Sequence, residues 1–185
     1  MHTVQPIKRI DQLEAMKQIL HKRSKRDYCL FLIGINTGMR IYDLINIRVD
    51  QVMSQANEIH PYIQKSSYLD PPIYFNQSLQ ALIHEVIEKS DLKREDFLFK
   101  SRKSKAPITR QQAYRIIHYA AEEAGIDEPI GMHTLRKTFG YHAYTNGIAI
   151  SLIKKRLQHQ TTTETRHYLG ISKIDSSEVK LDINL

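Results

Sequence analysis

One cysteine, Cys29, is present in 185 residues. A lone thiol makes no internal disulfide and supplies no Cys-rich zinc site. Long apolar runs are missing as well. The most apolar stretch, Tyr28 to Ile35, sits between Asp27 and Asn36, far short of the roughly 20 residues a bilayer-spanning helix needs. Met1 is followed by polar and basic residues rather than the apolar core of a secretory leader. Repeats and low-complexity linkers are also absent, so a single domain is expected over residues 1–185. These absences together predict a soluble cytoplasmic protein with no membrane contact.

The composition that remains is globular. Apolar residues make up 41% and charged residues 25%, enough for one domain with its own core. Lys plus Arg is 27 against Asp plus Glu 20, a formal net charge of +7. That excess suits a polyanionic partner, nucleic acid before a membrane surface. Two basic runs, Lys22 to Arg26 and Lys100 to Lys105, also suit solvated loops. Charge therefore suggests a partner and no chemistry.

Periodicity predicts a mostly helical α+β domain. Asp11 and Glu14 resemble a capping box, and Leu13, Met16 and Leu20 share one helical face. Tyr28 to Thr37 reads as a core helix closed by Gly38. A short helix fits Arg40 to Ile47, with Ile41, Leu44 and Ile45 inward. From Val49 to Phe75 the β-branched and aromatic residues, with Pro61, Pro71 and Pro72, predict a small antiparallel sheet. Helices are expected again at Gln77 to Glu88, from a cap at Thr109 to Gly125, at Thr134 to Thr145, and at Ile150 to Gln158. Val179, Leu181, Ile183 and Leu185 alternate with polar residues, which is strand spacing.

Three segments hold polar residues that no helical pattern demands. They are Thr37-Gly-Met-Arg40, His133-Thr-Leu-Arg136, and Leu157-Gln-His159 followed nine positions later by Tyr168. In this order they resemble the catalytic domain of the tyrosine recombinases, the phage integrase family. The resemblance runs from about residue 5 to the tail. It matches Arg40 and Arg136 to the family's two arginines, His133 and His159 to its histidines, and Tyr168 to its nucleophile. Lys65, 25 positions after Arg40, matches the catalytic lysine on a hairpin. A single His-x-x-Arg is a weak signal; five segments in order are specific.

The residue types suit the chemistry that the resemblance implies. A tyrosine hydroxyl, with an ordinary pKa near 10, attacks well only as its proton is drawn off. Two guanidinium forks match the charge of a pentacoordinate phosphorus. The histidines add hydrogen bonds, His133 assists proton removal, and Lys65 serves as the acid for the leaving 5′-hydroxyl. The resemblance implies a site-specific recombinase that cuts and rejoins DNA through a 3′-phosphotyrosyl intermediate, integrating or excising a mobile element. It needs no cofactor and no metal. Its partners are double-stranded DNA at attachment sites and three further copies, a homotetramer on DNA, with a monomer in isolation.

Other readings stand beside this one. Arg40 starts a helix whose dipole gives an arginine nothing, a misfit that favours function. His133 also reads as a helix-start histidine, Arg136 as a surface arginine, and Tyr168 as a packed ring. Lys25, Lys100 and Lys105 compete with Lys65 for the phosphate. His118, His142 and His167 read as structural or surface residues, and Cys29 as a small buried hydrophobe. Rival functions are a DNA-binding module with an inactive site, a type IB topoisomerase-like relaxation activity, and a metal-dependent nuclease. The nuclease wants clustered carboxylates, and Asp43, Glu95, Asp96 and Glu164 show no ligand spacing.

Two features depart from the family pattern. Gln158 stands where the family often has glycine, and is expected to remain helical without strain. Nothing resembles the family's N-terminal core-binding domain, so the chain is expected to be the catalytic domain alone. Residues 171–185 are expected to dock as a tail, in cis or on a neighbouring subunit.

Overall fold

The computed structural model describes residues 4–63 and 72–171. Two helices joined at Ser24 open the fold: α1, Ile10–Arg23, and α2, Lys25–Thr37. Leu13, Met16 and Leu20 form the buried stripe of α1. The capping box expected at Asp11 is not what starts it. The N-cap is Arg9, which makes no side-chain cap, and Asp11 lies in the first turn, ion-paired to Arg9. There its charge meets the positive end of the helix dipole. Helix α2 is capped by Ser24, whose hydroxyl accepts from Asp27 N, and stops at Gly38 in the left-handed region, φ 64°.

Gly38 reverses the chain into α3, Ile41–Ile45, whose Leu44 and Ile45 are buried while Ile41 is half-buried. The segment from Val49 to Phe75 is less sheet-like than its composition. Val49–Val52 forms a single helical turn, α4, with the Gln51 side chain accepting from Arg48 N. Among the described residues the sheet is two short antiparallel strands, β1, Tyr62–Ile63, and β2, Ile73–Tyr74. Ile63 pairs with Ile73 on the core side, and Tyr62 with Tyr74 outside. The β-branched residues are there, but the local Arg48–Gln51 bond and buried Val49 and Val52 favour a helical turn over an extended strand.

Helix α5, Gln77–Lys89, buries Leu79, Leu82, Ile83, Val86 and Ile87, and α6, Arg110–Glu123, follows a complete capping box between Thr109 and Gln112. These helices close over one large core with α1 and α2, in which Phe31, Phe75 and Phe99 are fully buried. Cys29 lies inside it, and burial pushes its thiol pKa up, which makes it inert.

The last three helices build a second, smaller cluster. Helix α7 spans Thr134–Thr145, α8 Ile150–Leu157 and α9 Thr162–Leu169. Ala143, Ile153, Leu157 and Leu169 are buried together, and the Tyr168 ring packs against them. Gly140 makes this possible: a methyl group placed there would lie 2.5 Å from Leu169 Cδ2, so α7 and α9 approach more closely than any side chain allows.

Helix α9 has no counterpart in the apolar pattern, because only Thr165 and Leu169 are buried along it. Its ends are nonetheless marked. Thr161 accepts from Glu164 N, and Gly170 closes it at φ 64°. Gln158 corrects an expectation. It does not stay helical but caps α8 in the left-handed region, φ 53° and ψ 37°, a conformation costing a non-glycine residue about 1 kcal/mol. Lys65 and residues 172–185, including the expected strand, lie outside the described residues.

Candidate active site

The turn after α2 and the starts or ends of α3, α7 and α8 meet at one cavity of about 420 Å³, with α9 along its wall. Arg40, His133, Arg136, His159 and Tyr168 all line it. Five of the six residues expected from sequence are therefore brought together; the sixth, Lys65, lies outside the described residues.

Arg136 is the structural centre. It lies in the first turn of α7, 8% exposed, and donates from Nη1 to Gly38 O and from Nη2 to Leu157 O, the latter at 2.7 Å. These carbonyls belong to the ends of α2 and α8, so the guanidinium ties three helices into one wall. The left-handed turn at Gln158 follows the very carbonyl that accepts from Nη2. Burial lowers the Arg136 pKa, while Tyr168 and Asp43 act the other way. A guanidinium starts so high that it stays charged, and its remaining N–H groups are left for an anion.

Arg40 is different. It is the N-cap of α3 in extended conformation and exposed. Its carbonyl accepts from Leu44 N, but among the described residues its side chain makes no hydrogen bond or ion pair. A charge held at a cavity without a side-chain partner among the described residues is available to a ligand.

The Tyr168 hydroxyl lies 3.3 Å from His133 Nδ1. Its ring meets His159 edge-on, centroids 4.9 Å apart. Burial raises the Tyr168 pKa, opposed by Arg136 and Arg40. A protonated phenol facing an imidazole fits general-base activation. His133 is held below the ordinary imidazole range, first by burial and then by Arg136, Lys137, Arg110 and Arg40. It is therefore neutral near pH 7, and with Nδ1 unprotonated it accepts from the phenol.

His159 takes the opposite tautomer. Thr165 Oγ1 donates to Thr161 O, so His159 Nδ1, 3.1 Å away, must donate to that hydroxyl. This leaves Nε2 for the cavity. Burial lowers the His159 pKa, with Glu164 opposing.

Both histidines make stability depend on pH. Unfolded imidazoles titrate near 6.5, and the folded values lie lower. Between the two, the unfolded chain binds more protons, so this contribution is full above about pH 6.5 and is lost as pH falls toward the folded values. Thermal melts from pH 7.5 to 5 should show a falling midpoint. The fall should be shallower in a His133→Asn, His159→Asn double variant.

Several contributors are not legible in the sequence. Arg110, at the start of α6, and Tyr42 both line the cavity. Asp43 stands one helical turn from Arg40 and acts on Arg136 through its charge; the i,i+3 spacing is the one signal that could have found it. The competing lysines are elsewhere: Lys25 pairs with Glu85 and Lys100 with Asp96, and Lys105 does not line the cavity. His118 pairs with Glu122, His142 bonds Ile7 O, and His167 is exposed. Among the described residues no group of three His, Cys, Asp or Glu side chains is placed to hold a metal ion, and no helix is long and apolar enough to cross a membrane. Asp96 is taken by Lys100, and Glu164 accepts from Gln160 N.

The family model described as "Phage integrase family" matches residues 8–173. The chain belongs to the phage integrase family. It is similar to the "Probable integrase/recombinase YoeC" of Bacillus subtilis strain 168, 40% identical over 94% of this chain and 93% of that one. The type 1 fimbriae regulatory protein FimE of Escherichia coli K12 is 32% identical over 77% of this chain and 73% of its own. The tyrosine recombinase XerD of Listeria innocua is 26% identical over 83% of this chain, which spans only 53% of that relative. The fold is that of the XerA recombinase, TM-score 0.74 at 21% identity over 94% of this chain and 60% of that chain. The catalytic domain of bacteriophage HP1 integrase gives 0.61 at 21% identity over 90% and 88%. The fold class is that of the tyrosine recombinase catalytic domains, and the family's activity, DNA strand cleavage and rejoining by a site-specific recombinase, is the activity of this chain.

Proposed function

We propose that Tyr168 attacks a DNA phosphodiester to integrate or excise a mobile element, using Arg40 and Arg136 to hold the phosphate. The observation that carries this is the Tyr168 hydroxyl at 3.3 Å from His133 Nδ1, beside both guanidinium groups. In the forward step the phenol oxygen bonds to phosphorus and the bond to the 5′ oxygen breaks. The phenol proton passes to His133, and an acid protonates the departing 5′-hydroxyl. Lys65 is the proposed acid. The 3′-phosphotyrosyl bond conserves the energy of the phosphodiester, and a 5′-hydroxyl of a partner strand reverses the step. The free N–H groups of Arg40 and Arg136 surround the non-bridging oxygens, where charge builds in the transition state, and the His159 ring is held at the same cavity by Thr165. Every group in this scheme is a side chain of the protein.

Helix α6 supports a duplex as the substrate. It contributes Arg110 to the catalytic cavity and Arg115 to a second basic cavity lined also by Arg23, Arg26, Arg102 and Lys103, and Gln111 and Arg115 are exposed along it. An α-helix fits the major groove, about 12 Å wide, and cations on both sides then face the two phosphate rims. Exchange between two duplexes needs four cuts, so a homotetramer on DNA is part of the proposal, with the tail, residues 171–185, docking in cis or on a neighbouring subunit. The two basic runs, Lys22 to Arg26 and Lys100 to Lys105, thus serve one surface.

The test is incubation in EDTA with a nicked duplex selected from a randomised library, followed by a denaturing gel. A covalent protein–DNA adduct is expected without Mg²⁺. A strict Mg²⁺ requirement would contradict the scheme. Relaxation of supercoiled plasmid with no strand exchange between sites would instead favour topoisomerase-like action.

A further inference from the structure

Lys137 directly follows Arg136 and is only 5% exposed. A lysine this buried normally has a carboxylate partner. Among the described residues Lys137 has none. Its ammonium donates to Val4 O at 2.9 Å and stands 5.0 Å from the centroid of the Tyr168 ring. An unpaired buried ammonium is costly, and a methionine would fill the same space without that cost. Packing therefore does not account for a lysine here.

The position of Val4 is itself fixed. Residues 4–8 lie along α7. Gln5 N donates to Pro129 O, Ile7 N donates to Thr138 Oγ1, and Ile7 O meets His142 Nε2 at 2.8 Å. Val4 Cγ1 sits against Gly131, where an added methyl would come within 2.5 Å. The Lys8 ammonium stands over the Tyr141 ring at 5.4 Å. The N-terminal segment is thus stitched to the helix that carries Arg136, and Lys137 is the stitch that also reaches the tyrosine.

We infer that Lys137 is a positioning residue for the nucleophile: its ammonium holds the face of the Tyr168 ring and the Val4 carbonyl together, so the aim of the Tyr168 hydroxyl follows the seating of the N-terminal segment. This rests on Tyr168 being the nucleophile. His159 makes a T-shaped contact with the ring and His133 takes the hydroxyl, while the cation stands over the ring and restrains its tilt. Cation–π attraction is directional enough for that purpose and grows when water is excluded. It also strengthens as the ring gains phenolate character, during attack and again when the phenolate departs on rejoining.

The experiment compares Lys137→Met with Lys137→Arg. Single-turnover adduct formation is followed on the nicked duplex, with DNA affinity and thermal midpoint measured on the same samples. Lys137→Met should slow adduct formation about 10- to 100-fold, the scale of a small misplacement of a reacting group, with affinity unchanged and the midpoint equal or higher. Lys137→Arg, which keeps cation and donor, should recover most of the rate. In DNA-free protein carrying 3-fluorotyrosine at position 168, the fluorine resonance should move in Lys137→Met and return toward its original place in Lys137→Arg. Wild-type rates in Lys137→Met, a rate loss that only parallels lost affinity or midpoint, or an unmoved resonance would each overturn the inference. If the wild-type protein forms no adduct, the nucleophile assignment fails, and the resonance still reports whether Lys137 holds the ring.

Discussion

Tyr168→Phe should abolish covalent attachment to DNA while leaving binding and folding nearly intact. The substitution removes one oxygen and keeps the ring. That ring is what packs on the α7–α8–α9 cluster and makes the T-shaped contact with His159, so the helices lose no apolar contact. Among the described residues the hydroxyl has one hydrogen-bond partner, His133, at 3.3 Å, and His133 is exposed enough to bond water instead. The cost in stability should therefore be below about 1 kcal/mol. Phosphate contacts through arginine and lysine, which dominate affinity and its salt dependence, are untouched. Adduct yield should fall below detection, with affinity for the nicked duplex within about threefold of wild type, because none of the phosphate contacts has changed. An adduct that survives denaturant in the Phe variant would mean that another side chain attacks.

The two arginines should separate catalysis from folding. Each should cost about 10²-fold or more in cleavage when replaced by alanine, the range for losing one preorganised charge-stabilising group. Their effects on the fold should differ. Arg40 is exposed and its side chain has no partner among the described residues, so Arg40→Ala should leave the thermal midpoint unchanged. Arg136 is buried and satisfies Gly38 O and Leu157 O. Its loss strands both carbonyls and uncouples the ends of α2 and α8, at roughly 1–3 kcal/mol for each buried group left unsatisfied. For a domain of this size that lowers the midpoint by several degrees. Arg136→Lys keeps a charge but not the fork, and should recover stability better than rate. Equal midpoints for Arg40→Ala and Arg136→Ala would contradict the structural role given to Arg136.

Much of this architecture is legible because local signals and burial agree. The span Thr134 to Thr145 is read from periodicity and observed with the same ends. Gly38 marks the close of α2 in both. The residues that meet at the cavity are legible through their order and spacing, since Arg40, His133, Arg136, His159 and Tyr168 each stand at or near a helix end. Gln158 is not legible: a glycine announces a left-handed turn, but a glutamine forced into one by the chain around it leaves no trace. Helix α9 buries too few side chains to show a stripe. The region from Val49 to Phe75 is over-read as sheet because β-branched residues also suit a buried helical turn. Lys137, Arg110 and Asp43 escape because their relation to the site is tertiary. A lysine beside an arginine reads as surface until α9 and the N-terminal segment close over it.

The attacking atom is the central claim, and mapping the adduct tests it most directly. Wild-type protein would be trapped on a nicked duplex, digested with protease and nuclease, and the nucleotide-bearing peptide sequenced by tandem mass spectrometry. The expected peptide carries its nucleotide on Tyr168, through a bond to the 3′ phosphate, with a free 5′-hydroxyl on the released strand. A nucleotide on any other residue, or a 5′-phosphate linkage on Tyr168, would contradict it.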